Sequence, residues 1–306
     1  MMDLLSVAND QDVNREVALT SHRINWADQP LFLSPANAYF PERSDLYNEF
    51  IAQRTDDLLV TNFEGSSIPS EPLRFIGVSR VHYLVGMNKW LMPLNEDNED
   101  ITPQDFLPST THHIISCPDG ILAACRTVHN PEATSIDQLE FLATRELNGA
   151  NLLDNLPTVN EELKRRALLD EGFSNAITDG AVATIERLIP TVLTSFLSAG
   201  NRKLNLALAQ ASIGSVAISS AAYLKNKGVS HVIIQADDRY RRHYQETLGI
   251  PEEGIICKRI HSLSDGTPDP CYTMILDLNK AEDFTRTHNP SVYSFYMQEV
   301  QNYQTI

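Results

Sequence analysis

The sequence predicts an α/β protein built on a mixed sheet. Three observations carry the prediction. Segments of strand character alternate with segments of helical periodicity through the second half of the chain. A Pro118-Asp119-Gly120 turn joins two apolar runs within 112–126 (HHIISCPDGILAACR), which is hairpin chemistry. A short, almost wholly apolar run, HVIIQA at 231–236, sits between two helical segments, as expected of a strand covered on both faces.

Each element follows from local chemistry. Residues 1–75 are polar. Pro41 suits a first helical turn, and Leu46, Phe50 and Ile51 form a modest apolar stripe over 41–54, with a weaker helical start near 10–20. The stretch GSSIPSEP at 65–72 reads as a linker. Residues 1–75 are therefore expected to be an N-terminal helical extension that packs on a main domain spanning 76–278. That domain opens with an aromatic, apolar element ending at Pro93, followed by an acidic loop, NEDNEDITPQDF, and then the hairpin. Residues 136–175 read as helical, with Asn160 as a cap ahead of Glu161 and Glu162. Residues 181–189 read as a strand. A long helix over 202–227 follows, with Leu206, Ala209, Ile213, Val216, Ala217, Ser220 and Leu224 at three- and four-residue spacing and Gly228 as its C-cap. A capped helix over 237–249 and two strands, IICKRIHSL and CYTMILDL, complete the domain. The tail 279–306 is polar and aromatic.

Composition narrows the function. The chain has 306 residues, 42% of them hydrophobic, which is enough for a full core, and a formal net charge of −16. That charge argues against nucleic-acid binding and against an anionic membrane surface, both of which need a basic footprint. Cys117, Cys125, Cys257 and Cys271 show no CxxC spacing. They read as reduced, mostly buried thiols, with no metal site. The N-terminus lacks a signal-peptide pattern, and no run reaches the roughly 18 apolar residues of a membrane span. A cytoplasmic, soluble protein is the expectation.

Several residues stand out chemically. Arg126 and Arg187 end apolar strands, where an arginine is costly unless paired. They read either as ion-pair partners of the acidic loop or as a bidentate clamp for a substrate carboxylate. Asp97, Asp100, Asp105, Glu140 and Glu186 are the carboxylates that could take a proton, or are solvated surface acids. Trp90 is one of two tryptophans and reads as core or as a substrate cover. His112 and His113 read as structural or surface residues. Arg239, Arg241, Arg242 and His243, extended by Lys225 and Lys227, form a basic cluster in an acidic protein. They are either a solvated helix face or a patch for phosphates or an acidic carrier protein.

The order of elements resembles the GNAT acyltransferase fold, a three-layer sandwich around a mixed central sheet. The resemblance covers about 76–278 and centres on the long helix, the strand 231–236 and the helix carrying Tyr244 to Leu248-Gly249. The nearest text to its pyrophosphate loop is 210–215, QASIGS. The front half is similar to the acyl-homoserine-lactone (autoinducer) synthases, the larger class of them, and to the related N-acyl amino acid synthases. VSRVHYLVGMNKW supplies Arg80 and Trp90, the acidic loop supplies Asp97, Asp100 and Asp105, ILAACRTV supplies Arg126 and TIERL supplies Arg187. The family's glutamate, three residues before that arginine, is Thr184 here, with Glu186 as the substitute.

The resemblance implies acyl transfer from an acyl-carrier protein or acyl-CoA to the amine of S-adenosylmethionine, then lactonisation, with no tightly bound cofactor. It implies catalytic roles for Glu186, Asp100, Arg126 and Arg187. Arg80, Trp90, Asp97, Asp105 and Thr184 would bind substrate, and Arg239, Arg241, Arg242 and Tyr244 the acyl donor. The alternatives are acylation of another amino acid or small amine, and a non-catalytic binding module of the same fold. Arg126→Ala is expected to remove activity from a folded protein.

Overall fold

The structure, a computed structural model, describes residues 19–30, 41–70, 103–139, 159–191, 193–262 and 268–305; some side chains within these ranges, Arg187 and Arg239 among them, lie outside the description. Arg80, Trp90, Asp97, Asp100 and Glu140 also lie outside the described residues.

Eight strands form one sheet in the order β1-β2-β3-β4-β5-β6-β8-β7. They are β1 (Thr20–Ile24), β2 (Leu58–Glu64), β3 (Thr110–Cys117), β4 (Gly120–His129), β5 (Val182–Pro190), β6 (His231–Asp237), β7 (Ile255–Ser262) and β8 (Pro268–Asp277). All neighbours are antiparallel except β5 and β6. The mixed sheet follows from the connections: a two-residue turn closes β3 onto β4, while the path from β5 to β6 runs through a long helix and returns parallel.

The helices are α1 (Pro41–Ile51), α2 (Val159–Leu169), α3 (Glu171–Thr178), α4 (Leu193–Leu197), α5 (Arg202–Asn226), α6 (Asp238–Leu248), α7 (Leu278–His288) and α8 (Pro290–Gln304). On one face α1, α5 and α8 pack over the sheet, through Tyr47, Leu208, Val216 and Phe295 against Val60, Ile115, Cys125 and Ile185. On the other, α2 and α3 place Val159, Leu163, Phe173 and Ile177 on Val182, Ile233, Ile256 and Ile275. This is the α/β three-layer sandwich with a mixed sheet.

The helix α5 is buried around almost its whole circumference between Ala211 and Leu224, so it forms the spine of the larger core. Its length and composition would also suit a membrane span, but 72% of its apolar window is buried inside the protein. Asn201 caps it by accepting from the amides of Lys203 and Leu204 at 3.1 and 3.2 Å.

Three expectations change. The N-terminal segment contributes strands as well as a helix: β1 pairs with β2, and β2 pairs with β3, so the sheet runs across the boundary read at residue 75. The tail is two helices, and α8 buries Val292, Phe295, Tyr296 and Val300. The helical stretch expected over 136–175 is broken by Asp170, whose side chain caps α3 by accepting from the Phe173 amide at 3.1 Å.

Candidate active site

Side chains alternate across a strand, so each strand offers one row to each face. Opposite α5, four register partners lie side by side across the sheet: Phe63 on β2, His112 on β3, Arg126 on β4 and Glu186 on β5. Phe63 and His112 stack with ring centroids 5.2 Å apart. The loop before β3 closes over this row. Arg126 Nη1 donates to Asp105 Oδ1 at 2.7 Å, and its Nη2 donates to Glu186 Oε2. His112 Nε2 donates to the Asp105 carbonyl at 3.0 Å, which ties the acidic residue's backbone to the same row. Gly65 makes that closure possible, because a methyl group there would strike the backbone oxygens of Asp105 and Leu107.

Burial differs sharply within this network. The Asp105 side chain is fully buried and that of Arg126 is 6% exposed, whereas Glu186 is 18% exposed. Burial alone would lower the Arg126 pKa; Glu186 first, and then Asp105, overcome it and hold it above its usual value. Among the described residues two carboxylates, Asp105 and Glu186, face the Arg126 guanidinium. Because Arg126 neutralises a fully buried Asp105, Arg126→Ala strips a partner from a buried charge. The variant expected to lose activity while staying folded should therefore lose stability as well.

Thr184 and Glu186 are two residues apart on β5 and so share a face, and the Thr184 hydroxyl lies 3.4 Å from Glu186 Oε1. The Glu186 carboxylate thus lies on the same face as Thr184 and meets Arg126 there. A β-bulge follows at once: Arg126 pairs with Glu186 and Ala124 with Ile189, so two residues of β5 oppose Cys125 alone. Bulges re-aim side chains and concentrate beside functional sites.

Next to Glu186 the sheet opens. Pairing between β5 and β6 runs from Val182 and His231 to Ile185 and Ile234 and stops, although β5 continues to Pro190 and β6 to Asp237. Among the described residues, the backbone of β5 from Glu186 onward therefore has no strand partner on its β6 side.

The basic cluster is largely engaged. Arg241 donates to Gln245 at 2.6 Å, lies 3.8 Å from Glu252 and stands over the Tyr272 ring at 4.7 Å. Arg242 is exposed on α6, and Tyr244 packs against the larger core. Lys225 and Lys227 belong to the C-terminal end of α5, where Lys225 meets Asn279 and Glu282, and Lys227 stands over Tyr223. The stretch 210–215 is no phosphate loop: it lies mid-helix in α5, where the helix uses its own amides. The turn entering α5 is instead Ala199-Gly200-Asn201, with Ala199 and Gly200 both at positive φ, leading to exposed Arg202 and Lys203. Gly200-Asn201 before an apolar periodic run was the available sequence signal.

No family model matches the chain, and no curated protein sequence does. Among solved structures it is similar to the CoA-dependent acyl-homoserine lactone synthase MesI, at 11% identity, covering 78% of this chain and 94% of that one, with a TM-score of 0.40. It is also similar to FeeM, an N-acyl amino acid synthase from uncultured soil microbes, at 10% identity, 75% and 95% coverage and a TM-score of 0.36. A third is BjaI, a CoA-dependent acyl-homoserine lactone synthase with SAM and isopentyl-CoA, at 9% identity, 77% and 97% coverage and a TM-score of 0.39.

Proposed function

We propose that the chain is an N-acyltransferase that makes an acyl-homoserine lactone from S-adenosylmethionine and an acyl thioester, with acyl-CoA or an acyl-carrier protein as donor. One observation carries the reading: the network of Asp105 from the loop before β3, Arg126 on β4 and Glu186 on β5 lies immediately beside the point where β5 and β6 part. The part-exposed Glu186 carboxylate takes a proton from the substrate ammonium, directly or through water. Arg126 orients Glu186, and the fully buried Asp105 orients Arg126. The free amine attacks the thioester carbonyl, the carbon–sulfur bond breaks and the thiol leaves. The unpaired β5 backbone offers amide donors to the thioester and its arm. The substrate's own carboxylate oxygen then attacks the carbon that bears the sulfonium, the carbon–sulfur bond breaks, and the lactone closes with release of methylthioadenosine. The part-exposed Glu186 carboxylate favours a substrate that carries an ammonium and a sulfonium. Arg202, Lys203 and Arg242 are the described, exposed cations that would meet the donor's phosphates or an acidic carrier. The proposal also assigns catalytic roles to Asp100 and Arg187, substrate contacts to Arg80, Trp90 and Asp97, and a cytoplasmic location.

The displacement of the carboxylate from position 184 to 186 favours a second reading, acylation of an amino acid or another small amine. Purified protein, given acyl-CoA or acyl-carrier protein, separates the two by thiol release and mass spectrometry. Lactone and methylthioadenosine with S-adenosylmethionine support the first reading; thiol release only with other amines supports the second. Wild type should lose activity by about 10²–10⁴-fold in Glu186→Gln, with its fold intact. Thiol release undiminished by that exchange would remove Glu186 from the mechanism.

A further inference from the structure

The strand β3 poses a problem of register. Its sequence, TTHHIISC, begins with three doublets, and all eight residues are buried. Register is normally chosen because one face is apolar and the other wet. Here a one-residue slip would exchange Thr110 for Thr111, His112 for His113 and Ile114 for Ile115, leaving the composition of each face unchanged except at Ser116 and Cys117. The tight turn does not settle the matter either. A bulge at Leu122 separates it from the site: Ser116 pairs with Ile121 and Ile115 with Ala123.

Polar partners make the two faces different. On the α5 side, Asn62 Nδ2 donates to Thr20 Oγ1 at 2.9 Å and to Tyr303 Oη at 2.7 Å. This leaves Asn62 Oδ1 to accept from His113 Nδ1 at 2.8 Å. The neutral ring must then accept at Nε2, from the Thr127 hydroxyl at 2.9 Å. Burial, with the charge of His112 adding to it, pushes His113 down to about 3, so the ring stays neutral and the donor–acceptor pattern holds. Tyr303 continues the row to Ser219 of α5 at 2.7 Å. Asn62, His113 and Thr127 are each the immediate chain neighbour of Phe63, His112 and Arg126 on the opposite face. A residue slip of β3 would carry His113 away from both partners and His112 away from Phe63 and Asp105.

We propose that His113 is a positioning residue: clasped between Asn62 and Thr127, it selects the register of β3 that sets His112 opposite Arg126, with Asp105 closing over the pair. Its effect on catalysis rests on the acyl transfer proposed above; its effect on Arg126 does not. The test uses the full chain labelled with [15N]arginine. The Arg126 Nε–H resonance, assigned by its loss in Arg126→Lys, reports the surroundings of the guanidinium whose Nη1 and Nη2 make the ion pairs. His113→Leu removes both hydrogen bonds. Thr127→Val removes one at constant shape, and His113→Gln, which carries a donor and an acceptor, can restore both.

The expected result is a shifted or lost Arg126 resonance in His113→Leu and Thr127→Val, partly recovered in His113→Gln. The turnover number should fall by up to about 10²-fold, with the KM for the acyl donor nearly unchanged. If both variants unfold more easily yet keep the wild-type resonance and turnover, the clasp is merely structural and the proposal is overturned. Should His113→Leu fail to fold, Thr127→Val decides alone by the same readouts. A wild type without acyl-transfer activity defeats the proposed function, while the resonance still decides the register role.

Discussion

Replacing Arg126 with Met is the sharpest test of the buried network. The exchange keeps the volume of the side chain close to constant but strands Asp105, which is fully buried beside it. Removing one partner of a buried pair costs about 3–5 kcal/mol, because the remaining charge loses its ion-pair partner in a site closed to water. Glu186 adds little to this cost, since it is 18% exposed and water can replace the lost contact. At about 2 °C per kcal/mol for a chain of this size, the melting temperature should fall by about 6–10 °C. Urea and thermal unfolding followed by circular dichroism at pH 7 measure the loss. The double variant Arg126→Met/Asp105→Leu removes the stranded charge as well and should recover at least half of the stability, although it remains inactive. A single variant within about 1 kcal/mol of wild type, or a double variant no better than the single, would refute the view that Asp105 depends on Arg126.

Two further outcomes follow from the same geometry. His113 has a folded pKa of about 3 against a usual 6.5, so the unfolded chain binds its proton more readily. Stability should therefore be lost as pH falls from 6.5 towards 3, by about 1.4 kcal/mol per pH unit in mid-window. His129, His231 and His243 are shifted the same way by burial and add to the slope; His113→Gln should reduce it by about one proton, measured by urea unfolding across that range. Gly65→Ala should push the Asp105 backbone away from β2 and lower the melting temperature, because the obstructing atoms are main-chain oxygens that cannot rotate aside; an unchanged melting temperature and Arg126 resonance would show that the loop before β3 can shift freely.

Strong local signals in the sequence correspond closely to elements. The Pro-Asp-Gly turn lies between β3 and β4, the three- and four-residue periodicity of 202–227 matches α5, and the apolar run at 231–236 matches β6. β2 was harder to read: LLVTNFE is buried on both faces and so lacks the alternation that marks a half-exposed strand. β1 is short and polar, and its burial comes from β2 and α8, which lie far away in sequence. The tail reads as polar because its helices carry only a narrow apolar stripe, which α5 covers.

The same division applies to the site. The sequence alone marks Arg126 as a charge in an apolar hairpin strand and shows that carboxylates cluster before the hairpin; the structure carries that strand on to His129, so Arg126 lies within it and not at its end. Which carboxylates reach Arg126 was decided only by tertiary structure. That choice depends on cross-strand register, on two bulges and on the closure of the loop bearing Asp105 over β3. These are long-range pairings, and the repeated residues of β3 make alternative registers look alike in one dimension. The hydrogen-bond partners that distinguish them, Asn62 and Thr127, come from other strands and meet His113 only in the folded sheet.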